Sequence, residues 1–294
     1  MNENKKNKII YKLAEHLKCK QDTLRKLSAE QITYINNYLK KSTYLEACPG
    51  SGKTEVIGLK CAYEIKKWHN SIGGLAVITF TNSAATELSL RIKKFADLSS
   101  NLYPHFIGTF DSWLHSYIFQ PFAHYLTKYE GKNGDKSYRI VDDDSHADFL
   151  ASFTVIVERG TTRIPMRATD YHYTADWRTL VGHSEIIEGM LNGLTNQEKT
   201  HLRENKVKFL KAGFATYSDA EIICNTILNR FAWVSGNLSK RFPVIIVDEC
   251  QDLSEDQIAV LESLRAAGRK IIMAKIALRG CYIEETRSGE RRCR

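Results

Sequence analysis

Ala47-Cys48-Pro49-Gly50-Ser51-Gly52-Lys53-Thr54 follows the pair Tyr44-Leu45 and runs into Val56, Ile57, Leu59, Lys60 and Tyr63. An extended stretch, a glycine-rich turn and a helical pattern in that order make the setting in which a backbone cradles phosphate. Gly50 and Gly52 let the chain bend so that its N–H groups converge on anionic oxygens. The start of the following helix adds positive potential at the same point. Lys53 is placed to reach terminal phosphates, and the Thr54 hydroxyl to ligate Mg²⁺. The usual pattern has Gly where this chain has Ala47. The plainer alternative is a glycine-rich turn before a helix.

A second run lies far downstream: Pro243-Val244-Ile245-Ile246-Val247-Asp248-Glu249-Cys250-Gln251-Asp252. A short continuous apolar run ending in acids reads as a buried parallel strand. The carboxyl end of such a strand is where an open α/β sheet binds ligands. Asp248 would hold Mg²⁺, and Glu249 would orient and deprotonate an attacking water. A strand end followed by a solvated acidic turn is the alternative. The first hundred residues alternate between the two periods. Helices are expected over Ala29–Leu39, Lys53–Trp68 and Ala84–Phe95, and strands over Thr43–Ala47, Leu75–Phe80 and His105–Gly108. Strands alternating with helices imply a parallel sheet with helices on both faces.

These two motifs, with what lies between them, resemble superfamily 1 helicases of the UvrD/Rep/PcrA type. Asp248-Glu249-Cys250-Gln251-Asp252 matches the family's Asp-Glu-x-Gln-Asp motif. Leu27-Ser28-Ala29-Glu30-Gln31 resembles its upstream glutamine motif, in which the Gln reads the adenine edge. Ile78-Thr79-Phe80-Thr81-Asn82-Ser83-Ala84-Ala85-Thr86-Glu87-Leu88, with Arg91-Ile92, resembles its first single-strand-binding motif, and Ile107-Gly108-Thr109-Phe110-Asp111-Ser112-Trp113 the next. The motifs stand in the family's order from Leu27 to about Arg269. The resemblance implies an α/β fold of the P-loop NTPase (RecA-like) kind, its parallel sheet interrupted by a mostly helical inserted subdomain. It also implies an ATP- and Mg²⁺-dependent motor on single-stranded or tailed duplex DNA, moving 3′ to 5′. Lys53, Asp248, Glu249 and Gln251 would be its catalytic residues. Gln31 and Ala47 through Thr54 would bind ATP, and Thr54 with Asp248 would hold the metal.

Several of these residues have ordinary roles open to them as well. Ser28-x-x-Gln31 is also a capping box, Gln31 reaching back to the Ser28 N–H. Thr81, Asn82, Thr109 and Asp111 would face DNA at strand ends, or cap turns. Phe80 and Phe110 would stack on bases, or fill the core. Ser83 stands where the family has Lys, which removes a phosphate contact. Cys48 and Cys250 read as small fillers beside the nucleotide.

The charge balance of +8, from 42 Lys and Arg against 34 Asp and Glu, favours a polyanionic partner or a solvated surface. Seven cysteines without a Cys-x-x-Cys pair point to reduced thiols in a cytoplasmic setting and away from a zinc site. No apolar run reaches the ~18 residues of a membrane span, and Met1-Asn2-Glu3-Asn4-Lys5-Lys6 lacks the apolar core of a signal peptide.

Five segments are expected. Residues 1–26 form a basic amphipathic extension, a solvated helix or a DNA-facing arm. Residues 27–115 and 214–273 are the two parts of the RecA-like ATP-binding domain. Residues 116–213 are the insert, with strand-like pieces at Phe153–Val157 and Ala168–Tyr173 and helices at Ser184–Leu191 and Asn196–Lys211. On that last helix His201, Arg203, Lys206, Lys208 and Lys211 are candidates for a basic DNA-facing side, or a solvated surface. Ser218-Asp219-Ala220-Glu221 reads as the box opening the helix back to the core, and Ser254-x-x-Gln257 opens another. Lys270-Ile271-Ile272-Met273 reads as the next strand. Relatives continue it with Gly-Asp-x-x-Gln, but here Ala274-Lys275-Ile276-Ala277 follows, and residues 274–294 read as an atypical unstructured tail. The expectation is an amino-terminal half whose second RecA-like domain would come from a partner protein or chain. A non-motor ATP- and DNA-binding regulatory module, or a truncated remnant, is the alternative.

Overall fold

The computed structural model describes residues 3–17, 21–37, 43–47, 52–70, 72–98, 102–142, 148–266, 268 and 270–276, with backbone alone for 43–47 and 270–276. Cys48, Pro49, Gly50, Ser51 and the tail from Ala277 lie outside the described residues.

The chain begins with helices α1 (Glu3–His16), α2 (Gln21–Arg25) and α3 (Ala29–Asn36). Then come β1 (Thr43–Ala47), α4 (Lys53–Lys66), β2 (Leu75–Thr79), α5 (Asn82–Ala96) and β3 (Phe106–Thr109). A broken helical stretch follows as α6 (Phe110–Leu114), a π turn at His115–Phe119, α7 (Gln120–Phe122) and α8 (His124–Thr127). Next are β4 (Arg139–Ile140), β5 (Thr154–Arg159), β6 (Thr162–Arg167), β7 (Tyr171–Tyr173) and β8 (Leu180–Gly182). The chain continues through α9 (Glu185–Asn192), α10 (Asn196–Lys211), β9 (Phe214–Ala215), α11 (Tyr217–Arg230) and α12 (Ala232–Arg241). It closes with β10 (Val244–Val247), α13 (Glu255–Ala266) and β11 (Lys270–Ile276). Among the described residues no helix is long and apolar enough to cross a membrane.

The chain divides into two compact units. One holds residues 1–109, 240–253 and 269–294, the other 110–239 and 254–268. In the first unit five strands form one parallel sheet in the order β1-β11-β10-β2-β3. The register sets Val247 beside both Met273 and Ile78, and Thr79 beside Thr109. Because every strand points the same way, the carboxyl ends of β1, β10, β2 and β3 all lie at one edge. β2 and β10 are buried at every position, as their unbroken apolar runs require. β11 slots between β1 and β10 and runs past Met273, so Ala274–Ile276 belong to the sheet, not to a tail.

The basic amino-terminal segment is built into this unit. Ile10, Leu13, Leu17 and Leu24 join Ile32, Ile35, Val56, Ile57 and Leu59 in a single apolar cluster. The lysines at 5, 8 and 12 stay exposed, as the amphipathic period predicts.

The second unit is mostly helical and carries short strands, with β5 and β7 falling on the strand-like pieces expected in the insert. β5 and β6 form an antiparallel hairpin, β7 and β8 another, and β4 pairs in parallel with β9. Alternating β-branched and aromatic residues (Thr154, Ile156; Tyr171, Tyr173) favour such short pleated pieces. The helical stretch that begins at Phe110 breaks near Pro121, which has no N–H for the helical ladder. The turn before it widens, and the Gln120 N–H reaches the His115 carbonyl.

Two sequence expectations are corrected here. The box opening α11 is Thr216 with Asp219, not Ser218 with Glu221: Asp219 accepts the Thr216 N–H at 3.0 Å and Thr216 Oγ1 accepts the Asp219 N–H at 3.2 Å. Lys206, read as a member of a basic outer face, is fully buried and ion-paired with Asp219 at 2.6 Å. It also donates to the Ala168 carbonyl at 2.6 Å. His201, Lys208 and Lys211 on the same helix are exposed.

Candidate nucleotide-binding site

The site is assembled at the carboxyl edge of the parallel sheet. β1 ends at Ala47, and the chain is next described at Gly52, which precedes α4 with φ +77° and ψ 25°. A Cβ at Gly52 would meet nothing within 4 Å, so glycine is required there by backbone conformation, not by space. Lys53 and Thr54 then form the first turn of α4, where the unpaired N–H groups and the dipole favour an anion.

Asp248 and Glu249 come off the end of β10. The Asp248 N–H continues the ladder to the Ile78 carbonyl at 2.8 Å, which fixes the carboxylate at the sheet edge. Lys53 Nζ lies 2.8 Å from Asp248 Oδ1 and 2.5 Å from Glu249 Oε1. The Lys53 and Asp248 side chains are only 6 % and 4 % exposed, against 26 % for Glu249. Glu249 has left-handed backbone angles, φ 56° and ψ 43°, uncommon for a residue with a side chain. Its N–H donates to Asp248 Oδ1 at 2.9 Å, and its Oε2 accepts from Gln251 Nε2 at 2.6 Å. Gln251 also donates to Asp252 at 3.2 Å.

Burial pushes the Asp248 carboxyl above its ordinary range, against the pull of Lys53. Burial acts upward on Glu249 too, but its hydrogen bonds to Lys53 and Gln251 outweigh it and hold that carboxyl below the usual range. The two neighbouring acids are thereby driven apart, one toward a proton and one toward ionisation.

Gln31 opens α3 as half of a capping box. It accepts the Ser28 N–H through Oε1 at 2.9 Å, while Ser28 Oγ accepts the Gln31 N–H at 3.2 Å.

The candidate DNA residues fall into both units. Phe80, Thr81 and Asn82 are exposed after β2, Phe80 by 51 %. Thr81 caps α5, its hydroxyl accepting the Ala84 N–H at 3.2 Å. Thr109 ends β3 and is half-buried. In the second unit Phe110 is 2 % exposed and packs at 6.3 Å from the Trp113 ring. Asp111 accepts from Gln257 Nε2 at 3.2 Å, and the same amide donates to Glu221 at 2.7 Å. Sequence reasoning missed this bridge. It places Asp111, α11 and α13 in one network, and burial pushes the Glu221 carboxyl up to about 7.

The chemistry suits a polyphosphate with one divalent cation. A buried ammonium at a helix N-terminus matches phosphate, and a hydroxyl with a carboxylate is the oxygen set that Mg²⁺ shares with phosphates. Among the described residues no three His, Cys, Asp or Glu side chains stand together to hold a metal by themselves.

The chain is similar in sequence to known proteins. The chain is 24 % identical over 244 residues to the probable DNA helicase II homolog of Mycoplasma capricolum subsp. capricolum, covering 81 % of this chain and 32 % of that one. It is 25 % identical over 239 residues to the Mycoplasma genitalium protein of the same name, covering 76 % and 32 %. Over 102 residues it is 35 % identical to the ATP-dependent DNA helicase srs2 of Schizosaccharomyces pombe, covering 35 % and 11 %. The chain thus spans about a third or less of the length of these curated relatives. Residues 27–274, from the box that opens α3 through the first part of β11, match the family described as UvrD/REP helicase N-terminal domain. With the sheet, the Lys53 turn and the acidic strand end in place over that same span, the chain belongs to the UvrD/REP helicase N-terminal domain family.

Proposed function

We propose that this chain binds and hydrolyses Mg-ATP as the amino-terminal motor part of a DNA helicase. The observation that carries the reading is the triad at the sheet edge: Lys53 held on Asp248 and Glu249 at the N-terminus of α4. Bound Mg-ATP supplies the phosphoanhydride whose cleavage would drive the motor. Lys53 exchanges its carboxylate partners for phosphate oxygens. Thr54 and Asp248 would hold the metal. Glu249, already ionised and steadied by Gln251, takes the proton of the attacking water. Gln31 supports the adenine edge from the first turn of α3. Cys48, Pro49, Gly50 and Ser51, which lie outside the described residues, are the remaining candidates for contact with the phosphates.

Single-stranded or tailed duplex DNA is the partner on the same reading. Phe80 offers an exposed ring for base stacking, with Thr81, Asn82, Thr109 and Asp111 as polar contacts. Phe110, buried against Trp113, takes the core role within the second unit that was the alternative to base stacking. Affinity for DNA should fall steeply with salt, since phosphate contacts dominate such binding.

Calorimetric titration with Mg-ATP tests the nucleotide site. The wild-type chain and Glu249→Gln should bind, because the amide keeps the shape, and Glu249→Gln should lose turnover. Unchanged hydrolysis in Glu249→Gln removes Glu249 as the base. No binding by the wild type removes the whole reading.

A further inference from the structure

Lys60 lies on α4 two turns beyond Lys53. A spacing of seven residues returns to the same face, about 10 Å along the axis. Like Lys53 it is buried, at 2 % exposure. Its ammonium donates to the Ile35 carbonyl at 3.1 Å, to the Asn37 carbonyl, and to Glu64 Oε1 at 2.6 Å. Ile35 and Asn37 are the carboxyl end of α3, where carbonyls lack helical partners and a cation is favoured.

α3 is short, eight residues, and buries only Ile32 and Ile35. Ile32, Ile35 and the half-buried Tyr34 pack it into the apolar cluster, and such non-directional contacts do not by themselves fix its tilt. An apolar side chain at 60 could fill the volume without desolvating an ammonium. What lysine adds is direction, with three acceptors held at fixed points. Tyr34, also on α3, is half-buried and packs against the same apolar cluster as Val56, Ile57 and Leu59 of α4.

We propose that Lys60 is a positioning residue for the base end of the nucleotide. It clamps the carboxyl end of α3 to α4 and so sets the span between Gln31 on one helix and Lys53 on the other. The inference rests on the nucleotide reading of Gln31 and Lys53 given above. Its consequence is specific. Loosening the clamp leaves the phosphate end intact, because Lys53, Thr54 and Asp248 depend on α4 and β10. It misplaces only the group that recognises the base.

The experiment measures dissociation constants of the 294-residue chain for Mg-ATP, Mg-GTP and magnesium tripolyphosphate, which has phosphates and no base. For Lys60→Met the ATP constant should rise about tenfold and the preference for ATP over GTP should shrink by a similar factor, while tripolyphosphate binding stays unchanged. Glu64→Gln, which keeps the lysine and removes its counter-ion, should shift ATP in the same direction by less. It decides the matter if Lys60→Met does not fold. Equal weakening of ATP and tripolyphosphate in the folded variants overturns the proposal and leaves Lys60 a general support. An unaltered ATP constant overturns it, as does a wild-type chain that binds ATP no better than GTP. A wild type that binds none of the three overturns the nucleotide reading and this inference with it.

Discussion

Replacing Lys53 by Met should destabilise the nucleotide-free protein, apart from any effect on ATP. Lys53 and Asp248 are 6 % and 4 % exposed and 2.8 Å apart, so neither charge is well solvated. Removing one member of such a pair costs about 3–5 kcal/mol, because the other is left buried and uncompensated. Two features reduce the figure here. Asp248 keeps the Glu249 N–H at 2.9 Å, and Glu249 is 26 % exposed and partly screened by water. A net loss of about 3 kcal/mol is expected at neutral pH. The sign with pH follows from Asp248, whose carboxyl already lies above its ordinary range. Without Lys53 it rises further, and once protonated it needs no cation. The penalty should therefore be largest at neutral pH and fade as the solution is acidified. Urea unfolding without nucleotide, at pH 7.5 and pH 5, measures both. The double variant Lys53→Met, Asp248→Asn should recover much of the loss at pH 7.5. A Lys53→Met midpoint equal to wild type at both pH values refutes the argument, since the triad would then contribute nothing to folding.

Glu221 gives a second pH signature. Its folded pKa of about 7 lies above the ordinary 4.5, so the folded state holds a proton that the unfolded state has released. Burial is the main cause, with Asp111 and Asp256 adding and Gln257 opposing. Stability should fall as pH rises through the window between those values, and Glu221→Gln should gain on wild type in melting temperature from pH 5 to pH 8. A constant difference would refute it. The two phenylalanines should separate by assay. Phe110→Ala should cost about 3–5 kcal/mol of stability, and Phe80→Ala little stability but about 1–3 kcal/mol of affinity for a single-stranded oligonucleotide. Undiminished DNA binding by Phe80→Ala would remove the stacking role.

Much of the first unit was legible in the sequence because its signals are local. The apolar runs of β2 and β10, the helical period after Lys53, and the box at Ser28 each occupy a window of a few residues. The order of motifs around Lys53 and Asp248 was enough to pair them, and the ion-paired triad is what such motifs make when a parallel sheet brings strand ends to one edge. Boundaries were less secure. α4 stops at Lys66 and β11 runs to Ile276, since helix and strand ends are set by neighbours as much as by their own residues.

Three features were decided by the tertiary structure alone. No pattern within Lys270–Ile276 announces that β11 lies between β1 and β10, because strand order depends on how crossovers pack. Lys206 read from sequence as DNA-facing or solvated, and nothing in the helical pattern around Lys60 foretold a buried ammonium. Their partners are carbonyls and carboxylates on other elements: Ile35 for Lys60, and Ala168 and Asp219 for Lys206. Glu221, read from sequence as the acid of a capping box, is instead bridged to Asp111 by the Gln257 amide. Hydrophobic period and cap residues are written in neighbours along the chain. A buried charge is tolerated only when distant segments bring it partners, and that depends on the folded arrangement.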